Sequence, residues 1–236
     1  MNAPLSKDAA YTTVREDIAD LVPMHALRVL DLGCSNGTLG RHLRRRQPGQ
    51  VVWGVEFDPA YAEQAASVLD HAINANLDSD EWRQAIGSQR FDCIVMADVL
   101  EHLADPARCL AHACELLSAG GCVVVSLPNI RHVSALWSIF LRGRFPRRER
   151  GLFDRTHLRW FTFGDGVALM QAAGLEVQAV DVGLRVGDRG GGPINRRLNR
   201  LPAALRQWAP LREFLGYQFA LRAVKLAGAA NAKPAG

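Results

Sequence analysis

Apolar positions along the chain gather into short runs, at Arg28–Leu32, Val51–Val55, Phe91–Ala97, Cys122–Leu127 and Leu175–Val182. Runs this short, rich in Val, Leu and Ile, predict strands buried on both faces. Between them the apolar residues recur at helical spacing, as in Tyr61–Ala72 and in Pro106–Leu117, which Ser-Ala-Gly-Gly closes. Strand and helix in alternation predict βαβ units, hence an α/β fold with a parallel sheet and helices on both faces. Gly216–Leu226 reads as a closing strand, with a helix as its competitor because Ala and Leu are frequent. Arg142–Gly151 and the glycine-rich Gly187–Pro193 break the pattern. The expected organisation is one domain over 1–227, with lid-like insertions at about 134–162 and 187–215, and a frayed tail over 228–236.

Composition narrows the class. With 48% apolar and 22% charged residues among 236, the chain has the core material of a globular domain, which sets aside disordered and collagen-like readings. No apolar run approaches the ~20 residues needed to cross a bilayer. The first residues lack the basic-then-apolar layout of a secretory signal, so a cytoplasmic location is expected. Five cysteines (Cys34, Cys93, Cys109, Cys114, Cys122) stand in apolar contexts without a C-x-x-C pair. They predict small buried hydrophobes, with neither a disulfide framework nor a metal site. The net charge of +4 is uneven: Arg142–Arg150 carries +4 and Arg189–Arg212 carries +6, leaving −6 for the rest. Such basic segments suit a polyanionic surface, whether nucleic acid, anionic lipid or a phosphorylated substrate. The alternative is compositional, since 25 of the 28 basic residues are Arg.

Val29–Gly40 reads VLDLGCSNGTLG: an apolar strand ending in Asp31, a glycine-bearing turn, and a helix from near Thr38. Gly33 and Gly37 let the backbone turn sharply and approach a ligand without a Cβ in the way. The Asp31 carboxylate suits a cationic or hydroxyl-rich ligand. No Gly-Lys-Ser/Thr follows, which excludes a phosphate-loop NTPase. In VVWGVEFD (Val51–Asp58), Glu56 closes the neighbouring strand about 20 residues later, where open α/β sheets bind ligands and an acid bonds both ribose hydroxyls. The alternative for Glu56 is a solvated loop carboxylate.

VLDLGCSNGTLG, GVEFD, FDCIVMADVLEHLADP and LLSAGGCVVVSLPN, in this order and spacing, resemble the class I S-adenosylmethionine-dependent methyltransferases, over about Val14 to Val182. The resemblance implies a Rossmann-like, seven-stranded, mostly parallel sheet with an antiparallel closing strand. It implies S-adenosylmethionine as cofactor and S-adenosylhomocysteine as product. Asp31, Gly33, Cys34, Ser35, Asn36 and Gly37 would hold the methionine part, Glu56 the ribose, and Phe57 the adenine. The third strand, around His71–Asp78, would end near the adenine amino group, with Asn76, Leu77 and Asp78 as the candidates there. Ala97, Asp98 and Val99 would line the sulfonium end. Ser35 stands where the family usually has glycine; a negative φ would accommodate it, and its hydroxyl would be free to bond the cofactor carboxylate. Tyr11 falls where related enzymes close a helix over the cofactor.

On the acceptor side a hydroxyl needs a general base, and His is the usual one. His102 in VLEHL follows the fourth strand, where the resemblance places it near the cofactor, often in a structural role, and His132 in PNIRH follows the fifth strand at the rim where substrates enter. His157 lies in GLFDRTHLRWFT, which resembles a D-x-T-H-L-R-x-F-T signature of bacterial methyltransferases encoded among surface-polysaccharide glycosyltransferases. For Asp154, His157 and Arg159 two readings stand side by side: a catalytic or substrate role, or a hydrogen-bonded knot fixing the loop on the sheet. Ser134–Arg150 joins Trp137, Ile139, Phe140, Leu141 and Phe145 to five arginines, the make-up of a lid, an anion clamp or a membrane-surface helix. The alternative is an ordinary helix with a solvated loop. In the lid reading Trp137 and Phe145 exclude water while Arg147 and Arg148 attract a phosphate or carboxylate.

No N/D-P-P-Y/F/W motif follows the fourth strand, where ADVL stands instead, so a nucleic-acid acceptor ranks below a glycan or small metabolite. The leading expectation is therefore O-methylation of a sugar-containing or anionic small molecule. Its rivals are a non-catalytic cofactor-binding protein and a nicotinamide-dependent oxidoreductase, the latter disfavoured because G-C-S-N-G lacks G-x-G-x-x-G spacing.

Overall fold

A computed structural model describes residues 14–188 and 192–225. Tyr11, the 228–236 tail and residues 189–191 of the glycine-rich loop lie outside the described residues. The strands are β1 (Arg28–Leu32), β2 (Val51–Glu56), β3 (His71–Asn74), β4 (Phe91–Ala97), β5 (Leu117–Pro128), β6 (Leu175–Leu184) and β7 (Gly216–Lys225). They form one sheet in the order β3-β2-β1-β4-β5-β7-β6. The first five pair in parallel, and β7 runs antiparallel between β5 and β6. The sheet is thus mostly parallel and Rossmann-like, and Gly216–Lys225 is a strand, not the competing helix.

Period-two alternation divides the apolar runs between two faces. Leu30, Ile94, Met96, Val123 and Val125 join Trp82, Phe91 and Leu110 on one side. Val29, Val52, Cys93, Val95, Cys122 and Val124 join Ile18 and Leu43 on the other. Burial on both faces is why these strands read as continuous apolar runs. All five cysteines are buried and free.

The helices that bear on the site are α1 (Glu16–Leu21), α2 (Thr38–Arg46), α3 (Pro59–Ala66), α4 (Glu81–Ile86) and α5 (Pro106–Glu115). Asp58 caps α3 by accepting from the N–H groups of Ala60 and Tyr61, with Pro59 at the first helical position. This helix stops well short of the expected Ala72, because Trp53–Glu56 recruits His71–Asn74 as strand β3. β3 in turn ends before Asn76, whose side-chain carbonyl accepts the Asp78 N–H at 2.9 Å and turns the chain. After β5 come α6 (Val133–Leu136), a π-helical turn (Trp137–Leu141) and an irregular stretch that leads to α7 (Phe163–Ala172). Three short helices, α8 (Gly192–Leu198), α9 (Ala203–Arg206) and α10 (Ala209–Phe214), lie between β6 and β7. No helix among the described residues is long and apolar enough to cross a membrane.

Candidate active site

A cleft of about 1010 Å³ opens at the carboxyl ends of the parallel strands. Asp31, at the end of β1, is only 2% exposed. Burial, and secondly the charge of Glu56, push its pKa up to about 7, and no hydrogen bond from the described residues offsets them. A buried carboxylate left this way calls for a cationic ligand. Gly33 (φ +80°) packs so tightly that an added Cβ would meet Val99 Cγ2 at 2.4 Å. Gly37 (φ +76°) leads into α2. Ser35 has φ +48°, in the left-handed region, which corrects the expectation of a negative φ. What holds it there is its N–H, which donates to Glu56 Oε2 at 2.8 Å. Its own hydroxyl is buried without a hydrogen-bond partner. Glu56 Oε1 accepts from the Asp58 N–H at 2.9 Å, so each carboxylate oxygen keeps room for one further donor. Phe57 stands 71% exposed at the rim, an aromatic face open to a planar ring.

The far wall begins at Asp98, the second non-glycine residue with positive φ (+57°). Its carboxylate accepts from Ser126 Oγ at 2.7 Å, from Gln218 Nε2 and from the Arg15 guanidinium. Strained backbone over-determined by side-chain bonds is characteristic of ligand sites. Next along the chain, a 3₁₀ turn (Leu100–His102) carries Glu101 and His102 into the cleft. Glu101 is buried, its Oε2 has no partner, and burial with the nearby Asp98 raises its pKa well above the carboxylate range. The Glu101 carbonyl accepts the N–H groups of Leu158 and Arg159, which brings His157 alongside. The His102 and His157 rings meet edge to face at 4.8 Å. Burial, then His102, lowers the His157 pKa, and its Nδ1 is buried without a partner.

The profile of the methyltransferase domain family matches residues 8–180. The chain is 34% identical over 182 residues to a ubiquinone biosynthesis O-methyltransferase of Azorhizobium caulinodans, covering 72% of this chain and 67% of that one. It belongs to the class I S-adenosylmethionine-dependent methyltransferases. Against other curated relatives of that description, the chain spans about half their length. Two solved structures share the fold. A methyltransferase of Thermotoga maritima, described as a possible histamine N-methyltransferase, has TM-score 0.61 at 18% identity, covering 92% of this chain and 89% of that one. Magnesium protoporphyrin IX methyltransferase of Synechocystis, with bound S-adenosylhomocysteine, has TM-score 0.59 at 15% identity, covering 96% and 90%. The oxidoreductase reading drops out.

In this methyltransferase the site residues fit the cofactor. The unpaired Asp31 carboxylate suits its amino group, the orphaned Ser35 hydroxyl and the glycine turn suit its carboxylate, and Glu56 suits its ribose. Asp31, Gly33, Cys34, Ser35, Glu56, Phe57, Asn76, Leu77, Asp78, Ala97, Asp98 and Val99 all line the cleft, as do His102, Asp154 and His157. Asn36 and Gly37 do not. The Asn36 carbonyl oxygen instead accepts from Thr38 N–H and Oγ1, shaping the turn from behind.

The acceptor-side expectations need more correction. His132 is wholly buried, with Nε2 on the Arg185 carbonyl at 2.9 Å and Nδ1 beside Ser134 Oγ at 2.8 Å, so it cannot meet substrate. Trp137 does not line the cleft and is 54% exposed, and Phe145 packs on Phe153 and Trp160. Arg147, which donates to the Arg155 carbonyl, and Arg148, which pairs with Asp188, do not line the cleft; Glu149, Arg150 and Gly151 line it instead. Arg159 holds the Ala104 carbonyl at 2.6 Å, a role in the knot. Asp154 accepts from Thr156 N–H and Oγ1 while still facing the cleft, so it belongs to both readings.

Sequence reasoning missed Arg15, Glu101, Tyr217 and Gln218, which also line the cleft. For the last two a signal existed: an antiparallel strand begins where parallel ones end, so the start of β7 falls at the ligand rim. Arg15 sits just before α1 in no recognisable motif.

Proposed function

We propose that the protein methylates a hydroxyl oxygen of a small acceptor bound between His157 and Tyr217, and that the acceptor is a phenol. The observation that carries this reading is His157, which lines the same cleft as the Asp31 and Glu56 carboxylates, with a pKa lowered by burial and a buried Nδ1 that has no partner. S-adenosylmethionine, when bound, supplies an electrophilic methyl group on a sulfonium. Asp31, Ser35 and Glu56 orient its amino acid and ribose, and the Asp98 knot fixes the wall beside the sulfur. The cluster of Glu101, His102 and His157 receives the acceptor hydroxyl and removes its proton. A histidine whose pKa burial has lowered is a weak base. It matches a phenol, which ionises near pH ~10, better than a sugar hydroxyl, which holds its proton more tightly. The description of the relatives as ubiquinone biosynthesis O-methyltransferases supports a phenolic ring too. A sugar hydroxyl is the second reading, favoured by the resemblance of Gly151–Thr162 to enzymes of surface-glycan gene clusters.

Labelled methyl transfer to a panel of dihydroxybenzoates and of nucleotide sugars tests both. Turnover on the phenols, reduced ~10²–10⁴-fold in His157→Ala with S-adenosylhomocysteine affinity retained, is the expected result. Transfer to the sugars alone overturns the phenol reading, and full activity in His157→Ala removes the histidine from the reaction.

A further inference from the structure

We propose that Glu101, His102 and His157 form a binding site for one divalent transition-metal ion, on the acceptor side of the cleft. The inference rests on the methyltransferase reading for its purpose but on separate residues for its geometry. One ligand atom from each of the three side chains lies within 4.8 Å of the others. Ligands around a zinc-type ion stand ~2.0–2.2 Å from it, so shifts on the order of an ångström close the set.

Two independent observations mark the cluster as a site awaiting a ligand. Glu101 is 2% exposed, yet its Oε2 has no hydrogen-bond partner. His157 is 6% exposed, and its Nδ1 has none either. Buried polar atoms left unpaired are costly, and a cation held by these side chains removes that cost. The third ligand is already oriented. His102 Nδ1 lies 3.3 Å from the Thr156 carbonyl; donating there, the ring leaves Nε2 bare for a metal. The scaffold is stiff for the same purpose, because the Glu101 carbonyl binds two N–H groups just past His157. No spacing in the sequence announces this donor set, since Glu101 and His102 are adjacent and His157 arrives from a different loop.

Two imidazoles and one carboxylate suit zinc, cobalt, manganese or iron(II), and they leave coordination positions open. Those positions face the cleft that would hold the acceptor. An acceptor hydroxyl bound there forms a metal–oxygen bond and loses its proton to water in the cleft. Its oxygen pair then bonds the methyl carbon as the carbon–sulfur bond breaks and that pair returns to sulfur, giving the neutral thioether. With the ion bound, its charge loosens the hydroxyl proton, and His157 serves as the base only in the metal-free protein.

The test uses the full-length protein stripped by chelator dialysis, with Zn²⁺ alone titrated by calorimetry and Co²⁺ followed by its visible absorption. S-adenosylhomocysteine is titrated in parallel. Wild type should take up one equivalent of Zn²⁺ and melt at a higher temperature with it. Glu101→Gln and His102→Gln should each weaken uptake by at least ~10-fold, lose the melting shift, and bind S-adenosylhomocysteine within about twofold of wild type. The second variant, at a half-buried position, guards against misfolding of the first. Absence of stoichiometric Zn²⁺ uptake in a wild type that binds S-adenosylhomocysteine overturns the metal site and leaves the methyltransferase reading intact. Uptake unchanged in both variants overturns it as well. Triad-dependent Zn²⁺ uptake without S-adenosylhomocysteine binding supports the metal site and counts against the cofactor reading.

Discussion

The N–H of Ser35 donates to Oε2 of Glu56 at 2.8 Å, so the acid at the end of β2 also holds the turn after β1 in its left-handed conformation. Binding residue and turn are therefore one unit. Glu56→Ala should cost both the ribose bonds and the turn, and weaken S-adenosylhomocysteine binding by roughly 1–3 kcal/mol by calorimetry.

Ser35→Ala separates the two effects. The substitution keeps the positive φ but deletes a buried hydroxyl that has no partner. The ligand-free protein should gain stability, by about 1 kcal/mol in denaturant unfolding, while affinity for S-adenosylhomocysteine falls. Unchanged affinity would mean that the hydroxyl does not touch the ligand.

Gly33→Ala should abolish cofactor binding, because its Cβ would lie 2.4 Å from Val99 Cγ2 at a φ of +80°. Adding Val99→Ala relieves the clash but not the strain, roughly 1–2 kcal/mol for a left-handed residue. Partial recovery of the melting temperature in the double variant is the expected outcome.

Asp31 gives a pH signature. Its folded pKa of about 7 lies above the unfolded value, so the native state binds more protons in between. Stability should fall as pH rises from about 4 to about 7, by at most about 4 kcal/mol, and level off above. An ammonium group docking on Asp31 restores its charge. Calorimetry in buffers of different ionisation enthalpy should then show proton release on S-adenosylhomocysteine binding near pH 6, fading above pH ~8.

His132 shifts the other way. Burial lowers its pKa, so the folded protein carries the neutral ring. The contribution is present in full above the unfolded value of about 6.5 and lost as pH falls below it. His132→Ala should destabilise by about 1–3 kcal/mol without changing cofactor affinity, because its bonds to Arg185 and Ser134 are structural.

The cofactor half of the cleft was legible because each residue there sits at the end of an apolar run, and a strand end fixes both position and direction. Asp31 and Glu56 needed only the period and the spacing, and Ala97 came with the family resemblance. The acceptor half was not, because its residues come from irregular segments whose path depends on tertiary bonds. Arg147 and Arg148 looked like an anion clamp from composition, yet a carbonyl and Asp188 take them up. His132 looked like a rim histidine, but two local hydrogen bonds turn it inward. Ser35 and Asp98 adopt a backbone conformation that their identity disfavours, and partners as distant as Glu56 and Gln218 hold them there.

The position of β7 sets the order in which this protein can be made. It is the last of the seven strands to leave the ribosome, yet it lies between β5 and β6. Until it arrives, β5 presents a long, open, apolar edge and β6 has no neighbour in the sheet, which is the situation that invites intermolecular pairing. The same late strand delivers Tyr217 and Gln218 to the cleft. A nascent chain stalled before residue 216 should accordingly need a chaperone to stay dispersed, and ligand competence should appear only on release of the closing strand.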